Sequence, residues 1–574
     1  MNSETKICQN CKKDFIIESD DFSFYEKIKV PPPTFCPECR IIRRMTFRDY
    51  RILYKRKSDR TGNMIFSLFS SQTKFKIWER DFWWSDGWDA LNYGIDLDIS
   101  KSFWSQLYDL FMNVPLPSQT VWDIINSEYC SGSSHLKNCY LVFVSTNAED
   151  CMYSAEINNT KNSIDVTRIE SSELCYESFS LNKCYRTLFS SHCDDCMDVY
   201  FSRNLIGCNF CFGCSNLTNK QYYIFNKQYS KENYQKIFTD FNLGSYKSLE
   251  NLKEKSNSIL RKSIRRFTEG RRNTDVSGEY INNSKNVKNS YYVNQGEDCK
   301  YIQAFFTPKT KDCFDCSLWG ENTELAYECS SIGENNYNVK FGCRCYRGSR
   351  NCEYCLYCLG CTDCFGCSGL NKKQYCILNK QYTKEEYEKL IPKIKQNMSN
   401  IPYIDKKGII YKYGEYFPVE FSPFCYNESL ANDYFPLTED EAENRGYHWY
   451  KRDDKDYNSD FKSENLPDSI NDVNDDIVGK IIECKHNGNC NNHQCLKAFK
   501  ITKEELQFYK RMNISIPRLC HNCRHCERLS VKNSVKLYYR KCMKEGCTNT
   551  FETSYAPERP EIIYCEKCYQ KEVY

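Results

Sequence analysis

The sequence predicts a multidomain, mainly β protein: two thin, cysteine-rich β-solenoids of about 12 residues per coil, flanked by treble-clef or zinc-ribbon modules. Three observations lead to this fold class: 38 cysteines in 574 residues, paired cysteines near both ends, and a three-residue period in the middle. In a long chain with reduced thiols, such cysteines indicate zinc binding and buried packing before disulfides.

The composition excludes several classes of protein. Lys+Arg 79 against Asp+Glu 76 gives a formal charge of +3, so no whole-chain field favours nucleic acid or a membrane surface. No apolar run approaches 18 residues, and the first residues lack the apolar region of a signal peptide. We therefore expect a cytoplasmic protein without a membrane partner.

Residues 1–60 are predicted to form a treble-clef zinc module. Cys8-x2-Cys11 and Cys36-x2-Cys39 supply four thiolates, which close a tetrahedral Zn²⁺ site and leave no position open for catalysis. A basic stripe follows at helical spacing, and we interpret it as a nucleic-acid-binding surface, because guanidinium groups hold phosphates and neighbouring aromatic rings stack on bases. A solvated helix face, or arginines docked on acidic protein surface, is the alternative. The stripe consists of Arg40, Arg44, Arg48, Arg51 and Lys55.

Residues 61–117 form a Trp-rich cap, and residues 118–240 are predicted to be the first solenoid with its capping helix. Every third residue from Ser118 to Leu217 is small or aliphatic, and ten cysteines from Cys130 to Cys214 share this register. An α-helix cannot hold a period of 3.0, and a collagen-like helix would need glycine at that position. The thiols are expected to face inward as small hydrophobes.

The pattern returns with a constant offset of 153 residues, which places the second solenoid and its capping helix at 281–395. Cys208, Cys211 and Cys214 correspond to Cys361, Cys364 and Cys367, although the register slips near Thr310 and Asn335. Six cysteines three apart over 352–367 would also suit a metal or iron–sulfur loop. We interpret them as a continuation of the inward thiol column, because the first copy has Ser202 and Leu205 in the same column.

Three segments connect these units. Residues 241–280 are predicted to be a basic connecting helix, residues 396–450 a small aromatic and proline-containing segment, and residues 451–478 an acidic linker without an apolar period.

Two further zinc modules are predicted at residues 479–535 and 536–574. The first of them repeats the aromatic, proline and arginine spacing of residues 1–60, with Arg524 following its second cysteine pair as Arg40 follows Cys39. The predicted ligands are Cys490, Cys495, Cys520 and Cys523 in one module and Cys542, Cys547, Cys565 and Cys568 in the other, with Cys484, His486, His493 and Cys526 as alternatives in the former.

The N-terminal pattern, Cys-x2-Cys followed by Phe24-Tyr25 and Pro33-x-x-Cys36-x2-Cys39-Arg40, resembles the probable treble-clef zinc-binding domains. Nearly the whole chain resembles a family of multi-cysteine zinc proteins from candidate-phyla (Patescibacteria-type) bacteria. Some of these carry a CaiB/BaiF label, which would imply CoA transfer, but no part of this chain looks like that α/β fold. The stretches that carry the likeness are 84–89, 414–418, 422–424, 434–437 and 551–557.

The sequence contains no glycine-rich phosphate loop, no His-Glu-x-x-His and no nucleophile–base set, so we expect a non-enzymatic protein that binds about three zinc ions. The leading functional prediction is binding of RNA or DNA through the arginine-rich zinc modules. One alternative is a structural scaffold whose solenoid faces bind protein partners. The other is a thiol-rich metal store or redox protein.

Overall fold

The computed structural model describes residues 2–305, 309–452, 457–489 and 494–573. Over these residues the protein is mainly β, and its largest sheet contains 14 strands. In the described part of the chain, no helix has both the length and the apolar composition needed to cross a bilayer.

A parallel stack of strands, here called the first ladder, occupies residues 121–228. Val121 pairs with Ser133, Ile164 with Tyr176 and Arg203 with Ser215, so each partner lies 12 residues further along the chain. This offset equals the predicted repeat length. The strands are β7 Val121–Ile125, β8 Ser133–Lys137, β9 Thr146–Glu149, β10 Ala155–Lys161, β11 Ile164–Glu170, β12 Tyr176–Asn182, β13 Tyr185–Leu188, β14 Ser191–Asp194, β15 Met197–Tyr200, β16 Arg203–Ile206, β17 Asn209–Phe212, β18 Ser215–Thr218, β19 Gln221–Ile224 and β20 Lys227–Gln228.

Every third residue of this ladder turns the backbone. From Gly132 to Phe225, each third position has a positive φ, and as far as Asn216 the residue that follows it is one of the predicted inward positions. Asn, Asp and Gly occupy many of these positions because they tolerate the left-handed region best. Val144 and Phe189 also adopt it, at φ 53° and 52°.

The interior of the first ladder is lined by the predicted cysteines and serines, all ten cysteines being buried. The serines bridge successive repeats: the backbone N–H of Cys139 donates to the Ser127 hydroxyl at 2.9 Å, and that of Ile157 to the Ser145 hydroxyl at 3.2 Å. The inward thiols donate to carbonyl oxygens: the Cys151 thiol donates to that of Glu149 at 3.3 Å and to that of Thr160 at 3.5 Å.

A second parallel stack, the second ladder, occupies residues 270–381. Its pairing offset is 14 at Gly296–Thr310, 13 at Phe314–Tyr327 and 12 at Arg350–Thr362, and the longer offsets fall where the sequence pattern slips. Its strands are β22 Gly270–Arg271, β23 Thr274–Asn282, β24 Lys285–Asn294, β25 Gly296–Lys300, β26 Gln303–Phe305, β27 Thr310–Lys311, β28 Phe314–Ser317, β29 Tyr327–Ser330, β30 Arg350–Glu353, β31 Thr362–Phe365, β32 Gln374–Ile377 and β33 Lys380–Gln381.

Helices follow both ladders. Ser230 caps the helix after the first, and Thr383 and Glu386 form the capping box of the helix after the second. The basic segment at 241–280 is helical only as far as Arg261, so Arg265, Arg266 and Arg271 lie in later strands. The elements are α5 Lys231–Asp240, α6 Tyr246–Arg261, β21 Ile264–Arg266, α7 Lys384–Asn400, β34 Tyr403–Ile404, β35 Ile410–Tyr411, α8 Leu430–Tyr434 and α9 Glu439–Asn444.

The N-terminal part of the chain packs on the second ladder. The Trp-rich segment contributes Trp104, whose ring meets Tyr354 edge-on at 5.2 Å, and Trp83, which meets Tyr357 at 5.8 Å. The elements before the first ladder are β1 Glu4–Ile7, β2 Asp14–Ile17, α1 Ser19–Ile28, α2 Pro37–Met45, β3 Tyr54–Lys57, β4 Met64–Ser67, β5 Ile77–Trp78, α3 Arg80–Trp83, α4 Phe103–Asn113 and β6 Leu116–Pro117.

The acidic segment at 451–478 corrects the linker prediction. Residues 453–456 lie outside the described residues, but Leu466, Ile470, Val473 and Ile477 are buried in one apolar cluster with residues of the module at 479–535. Asp468 accepts hydrogen bonds from Ser245 and from the Lys247 N–H at the start of α6. The acidic residues therefore flank an apolar repeat of three to four residues, which holds the segment against its neighbours.

The C-terminal elements form two small units. They are β36 Ile482–Glu483, β37 Ala498–Phe499, α10 Lys503–Met512 and α11 His521–Leu529, followed by β38 Tyr538–Lys541, β39 Thr550–Thr553, β40 Ile562–Tyr564 and α12 Glu566–Val573.

Candidate metal centres

Three groups of four cysteines lie where a short hairpin meets the start of a helix. The hairpins are β1–β2, β36–β37 and β38–β39, and the helices are α2, α11 and α12. Within the described residues these are the groups that could hold a metal ion. They are Cys8, Cys11, Cys36 and Cys39; Cys484, Cys495, Cys520 and Cys523; and Cys542, Cys547, Cys565 and Cys568.

The sulfur atoms of each group are spaced for tetrahedral coordination. All four Sγ atoms of a group lie within 4.8 Å of one another. Individual Sγ–Sγ distances are 3.7 Å for Cys11–Cys36 and 3.9 Å for both Cys484–Cys523 and Cys547–Cys565. A tetrahedron with Zn–S bonds of about 2.3 Å has an edge of about 3.8 Å, so each quartet fits one Zn²⁺ ion.

The backbone supports each quartet in the same way. The N–H of Cys36 donates to Cys8 Sγ at 3.2 Å, that of Cys520 to Cys484 Sγ at 3.3 Å, and that of Cys565 to Cys542 Sγ at 3.3 Å. Cys36 and Cys520 are also the N-cap residues of α2 and α11. Hydrogen bonds to sulfur and the positive end of the helix dipole both favour thiolates.

The second quartet uses Cys484, which was an alternative in the sequence analysis. Cys490 and His493 lie outside the described residues, and His486 and Cys526 are not members of the quartet. Ile482 pairs with Phe499, which brings Cys484 beside Cys495 across the hairpin. The cysteine directly after a short strand, as Cys8 is after Ile7, was the feature that could have identified Cys484.

Contacts among the thiols shift their pKa values in opposite directions. Hydrogen bonding with Cys36 and with Cys484 lowers the pKa of Cys8 and Cys495 respectively. The same two thiols raise the pKa of Cys39 and Cys523. A bound cation removes this competition, because all four sulfurs then bind it as thiolates.

The proposed nucleic-acid stripe is not exposed. Arg40, Arg44, Arg48 and Arg51 retain between 0% and 9% of their accessible surface. Helix α2 ends at Met45, and Lys55 is exposed on β3 instead of on the helix. The structure therefore corrects the prediction of a solvent-facing phosphate-binding helix.

The buried arginines bind carboxylates of the second ladder. Asp315 accepts from Arg40 Nε at 2.9 Å and from Arg44 Nη1 at 3.2 Å, and Glu328 is 3.2 Å from Arg43 Nη2. Glu415 lies 3.0 Å from Arg43 Nη1, so three buried arginines face three buried carboxylates and their charges are compensated inside the protein. This arrangement matches the alternative raised from the sequence, in which the arginines dock on an acidic protein surface.

Helix α11 repeats the contact on the first ladder. Arg524 and Arg528 lie 2.7 and 3.0 Å from the oxygens of Asp165, and Arg528 lies 3.6 Å from Glu177. Arg40 and Arg44 lie four and eight residues after Cys36, and Arg524 and Arg528 lie four and eight residues after Cys520. The N-terminal module thus docks on the second ladder, and the module at 479–535 docks on the first.

The cysteine run of the second ladder has a different environment. Cys352, Cys355, Cys361 and Cys364 are buried, and each thiol donates to a backbone carbonyl oxygen two residues earlier at 3.3–3.5 Å. No group in this run is among the metal-capable groups of the described residues.

Comparison with known proteins does not assign the chain to a family. No protein-family model matches it, and no curated protein matches it. Among solved structures, a candidate acetyltransferase from Desulfovibrio desulfuricans G20 aligns over 46% of this chain and 69% of its own, at 10% identity and a TM-score of 0.12. That score is too low to carry an argument about fold or activity.

Proposed function

We propose that the protein is a zinc-stabilised scaffold in which three closed four-cysteine sites hold small modules on two β-solenoids. The proposal takes the first two modules as treble clefs and the third as a treble clef or zinc ribbon. Closed sulfur sites of this kind contribute folding free energy and leave no metal position open for substrate. We propose that the protein is cytoplasmic and non-enzymatic.

The observation that carries this proposal is the use of the basic residues inside the molecule. The arginines of α2 and α11 bind ladder carboxylates, and Arg266 and Arg271 bind Glu566 and Asp194. These arginines of both basic stretches therefore bind other parts of the same chain. This favours a scaffold over the predicted nucleic-acid surface.

The solvent-facing sides of the first ladder supply the surface for protein partners in this proposal. Lys137 and Lys161 both pair with Glu149, at 2.7 and 3.0 Å. Asn126 donates to Asn138, which donates to Asp150, along the same side. Charges compensated in this way favour protein partners over a polyanion.

Metal analysis tests the zinc part of the proposal. We expect elemental analysis of the purified protein to give about three zinc ions per chain. The single variants Cys39→Ser, Cys523→Ser and Cys568→Ser should each lose one ion, whereas Cys425→Ser, outside the quartets, should lose none. Fewer than two ions in the wild type, or an iron–sulfur absorption spectrum, would contradict it.

Nucleic-acid binding through another surface is the competing function, and the same preparation tests it. The wild type should not bind single-stranded RNA or DNA at low ionic strength, and nuclease should not change what co-purifies from native cells. Salt-sensitive binding would replace the scaffold proposal, because affinity through phosphate contacts falls steeply with salt.

A further inference from the structure

Two arginines join the metal-binding loops to the ladders. Arg40 Nη1 donates to the carbonyl of Phe35, directly before Cys36, at 2.7 Å, while its Nε contacts Asp315. Arg524 Nη1 donates to the carbonyl of Leu519, directly before Cys520, at 2.9 Å, while its Nε contacts Asp165. In both modules one guanidinium group therefore holds the cysteine loop and the ladder together.

The surroundings of these arginines match as well. Arg40 lies 5.1 Å from the ring of Tyr301, and Arg524 lies 5.2 Å from that of Tyr153. Beside them, Tyr25 meets Tyr327 edge-on at 5.5 Å, and Tyr509 meets Tyr176 at 5.6 Å. Two different parts of the chain thus form the same kind of docking site for a four-cysteine module.

We infer that metal binding and docking are coupled in each of these two modules, so that occupancy of a quartet controls whether its helix stays on the ladder. The inference rests on the proposed zinc sites. Helices α2 and α11 have nine residues each. A helix this short is marginal in isolation, so without metal at its first turn it loses the geometry that places its arginines.

Coupling of this kind is reciprocal. If metal binding strengthens docking, docking strengthens metal binding by the same factor. Weakening the contacts between the arginines and the ladder must therefore weaken the metal affinity. The ladder carboxylates lie on a different part of the chain from the cysteines, so a change there reports the coupling without altering a ligand. The device makes docking of each helix respond to the free zinc concentration.

The test measures the zinc affinities of the full-length protein by equilibrium competition with a chromogenic chelator, in Asp315→Asn and Asp165→Asn variants. Both positions have positive φ, which asparagine tolerates. We expect Asp315→Asn to weaken the zinc affinity of the first quartet by about tenfold and leave those of the other two unchanged. Asp165→Asn should do the same for the second quartet. Alkylation of Cys11 and Cys495, followed by mass spectrometry, identifies the site that opens.

Glu324→Gln is the matched control, because this carboxylate of the second ladder is exposed. Arg40→Lys provides an independent variant, since a lysine cannot contact Phe35 and Asp315 with a planar group. Three bound ions with unchanged zinc affinities would overturn the coupling alone, and so would an equal loss of affinity at all three sites. Absence of bound zinc in the wild type would overturn the proposed function instead.

Discussion

At the scale of single residues, the first ladder depends on what a small inward side chain can do. The thiol of Cys151 is fully buried and donates to two carbonyl oxygens, which a purely apolar side chain could not do. A serine hydroxyl performs the same task at neighbouring inward positions, as Ser154 does for Met152. Cysteine and serine therefore make the same kind of hydrogen bond at these positions.

The first prediction compares Cys151→Ser with Cys151→Leu. The serine keeps a donor of similar size, whereas the leucine adds volume to a filled interior and should cost about 1–3 kcal/mol more of unfolding free energy. Melting followed by circular dichroism should give a clearly lower temperature for the leucine variant. Equal melting temperatures would show that position 151 does not face a close-packed interior.

The residue pattern gave the inward register but not the backbone that produces it. The period of three and the shared register of the cysteines were visible because they are properties of the side chains. The left-handed turns were not, because Leu141, Val144, Tyr153 and Phe189 would not be chosen for positive φ on local preference. Hydrogen bonds between repeats stabilise these conformations, as Val144 N–H donates to Ser131 and Tyr153 N–H to Tyr140.

At the scale of elements, one strand of the second ladder holds the third module through a buried acid. Glu279 on β23 is fully buried, and its carboxylate accepts from the Glu269 N–H at 2.6 Å and from the Ser554 hydroxyl. Burial, with the nearby charge of Glu269, raises the pKa of Glu279 to about 8. The folded protein thus retains a proton that the unfolded chain releases above about pH 4.3.

The second prediction follows from the sign of this shift. Because the folded state binds more protons, stability falls as pH rises from about 4.3 to about 8, by at most about 1.4 kcal/mol per pH unit. The variant Glu279→Gln should lose that part of the slope in urea unfolding measured from pH 5 to 8.5. Glu149→Gln is the control, since contacts with Lys137 lower the pKa of this half-buried group to about 2. Identical slopes for wild type and Glu279→Gln would contradict the assignment.

Sequence reasoning at this scale identified faces but not their partners. The helical spacing of Arg40 and Arg44 placed both on one side of α2, which the structure shows. Their partner Asp315 is more than 270 residues away in the chain, so no local pattern could distinguish a buried face from an exposed one. The apolar spacing of Leu466, Ile470, Val473 and Ile477 is present in the sequence, but the many acidic residues around it led to the prediction of a linker.

At the scale of the whole molecule, modules and ladders pair in a crossed order along the chain. The first module docks on the second ladder, and the second module docks on the first ladder. The matched contacts of Arg40 and Arg524 could have been sought from the repeated spacing of their modules. The sequence could not show which module docks on which ladder, because both modules carry the same contact residues.

The third prediction uses this crossed pairing. A protease site placed at Arg261–Lys262, where α6 ends and both residues are exposed, divides the chain into halves that each carry the module for the other's ladder. After cleavage, the halves should still elute together in gel filtration. Because Trp83 and Trp104 also pack across this division, adding Asp165→Asn and Asp315→Asn should lower the urea concentration at which the halves separate, whereas adding Glu149→Gln and Glu324→Gln should not. Separation of the halves without these changes would contradict the pairing.

The regular turning of the first ladder constrains how its length can change during evolution. Adding or removing 12 residues would shift everything beyond that point by one strand spacing, about 4.8 Å, and preserve its orientation. Removing three residues would instead omit one turn of the backbone and rotate all later side chains by a quarter of a repeat, which would carry Asp165 away from α11. Homologues of different length should therefore differ by whole repeats, or by bulges of one or two residues such as those that lengthen the pairing offset of the second ladder to 13 or 14.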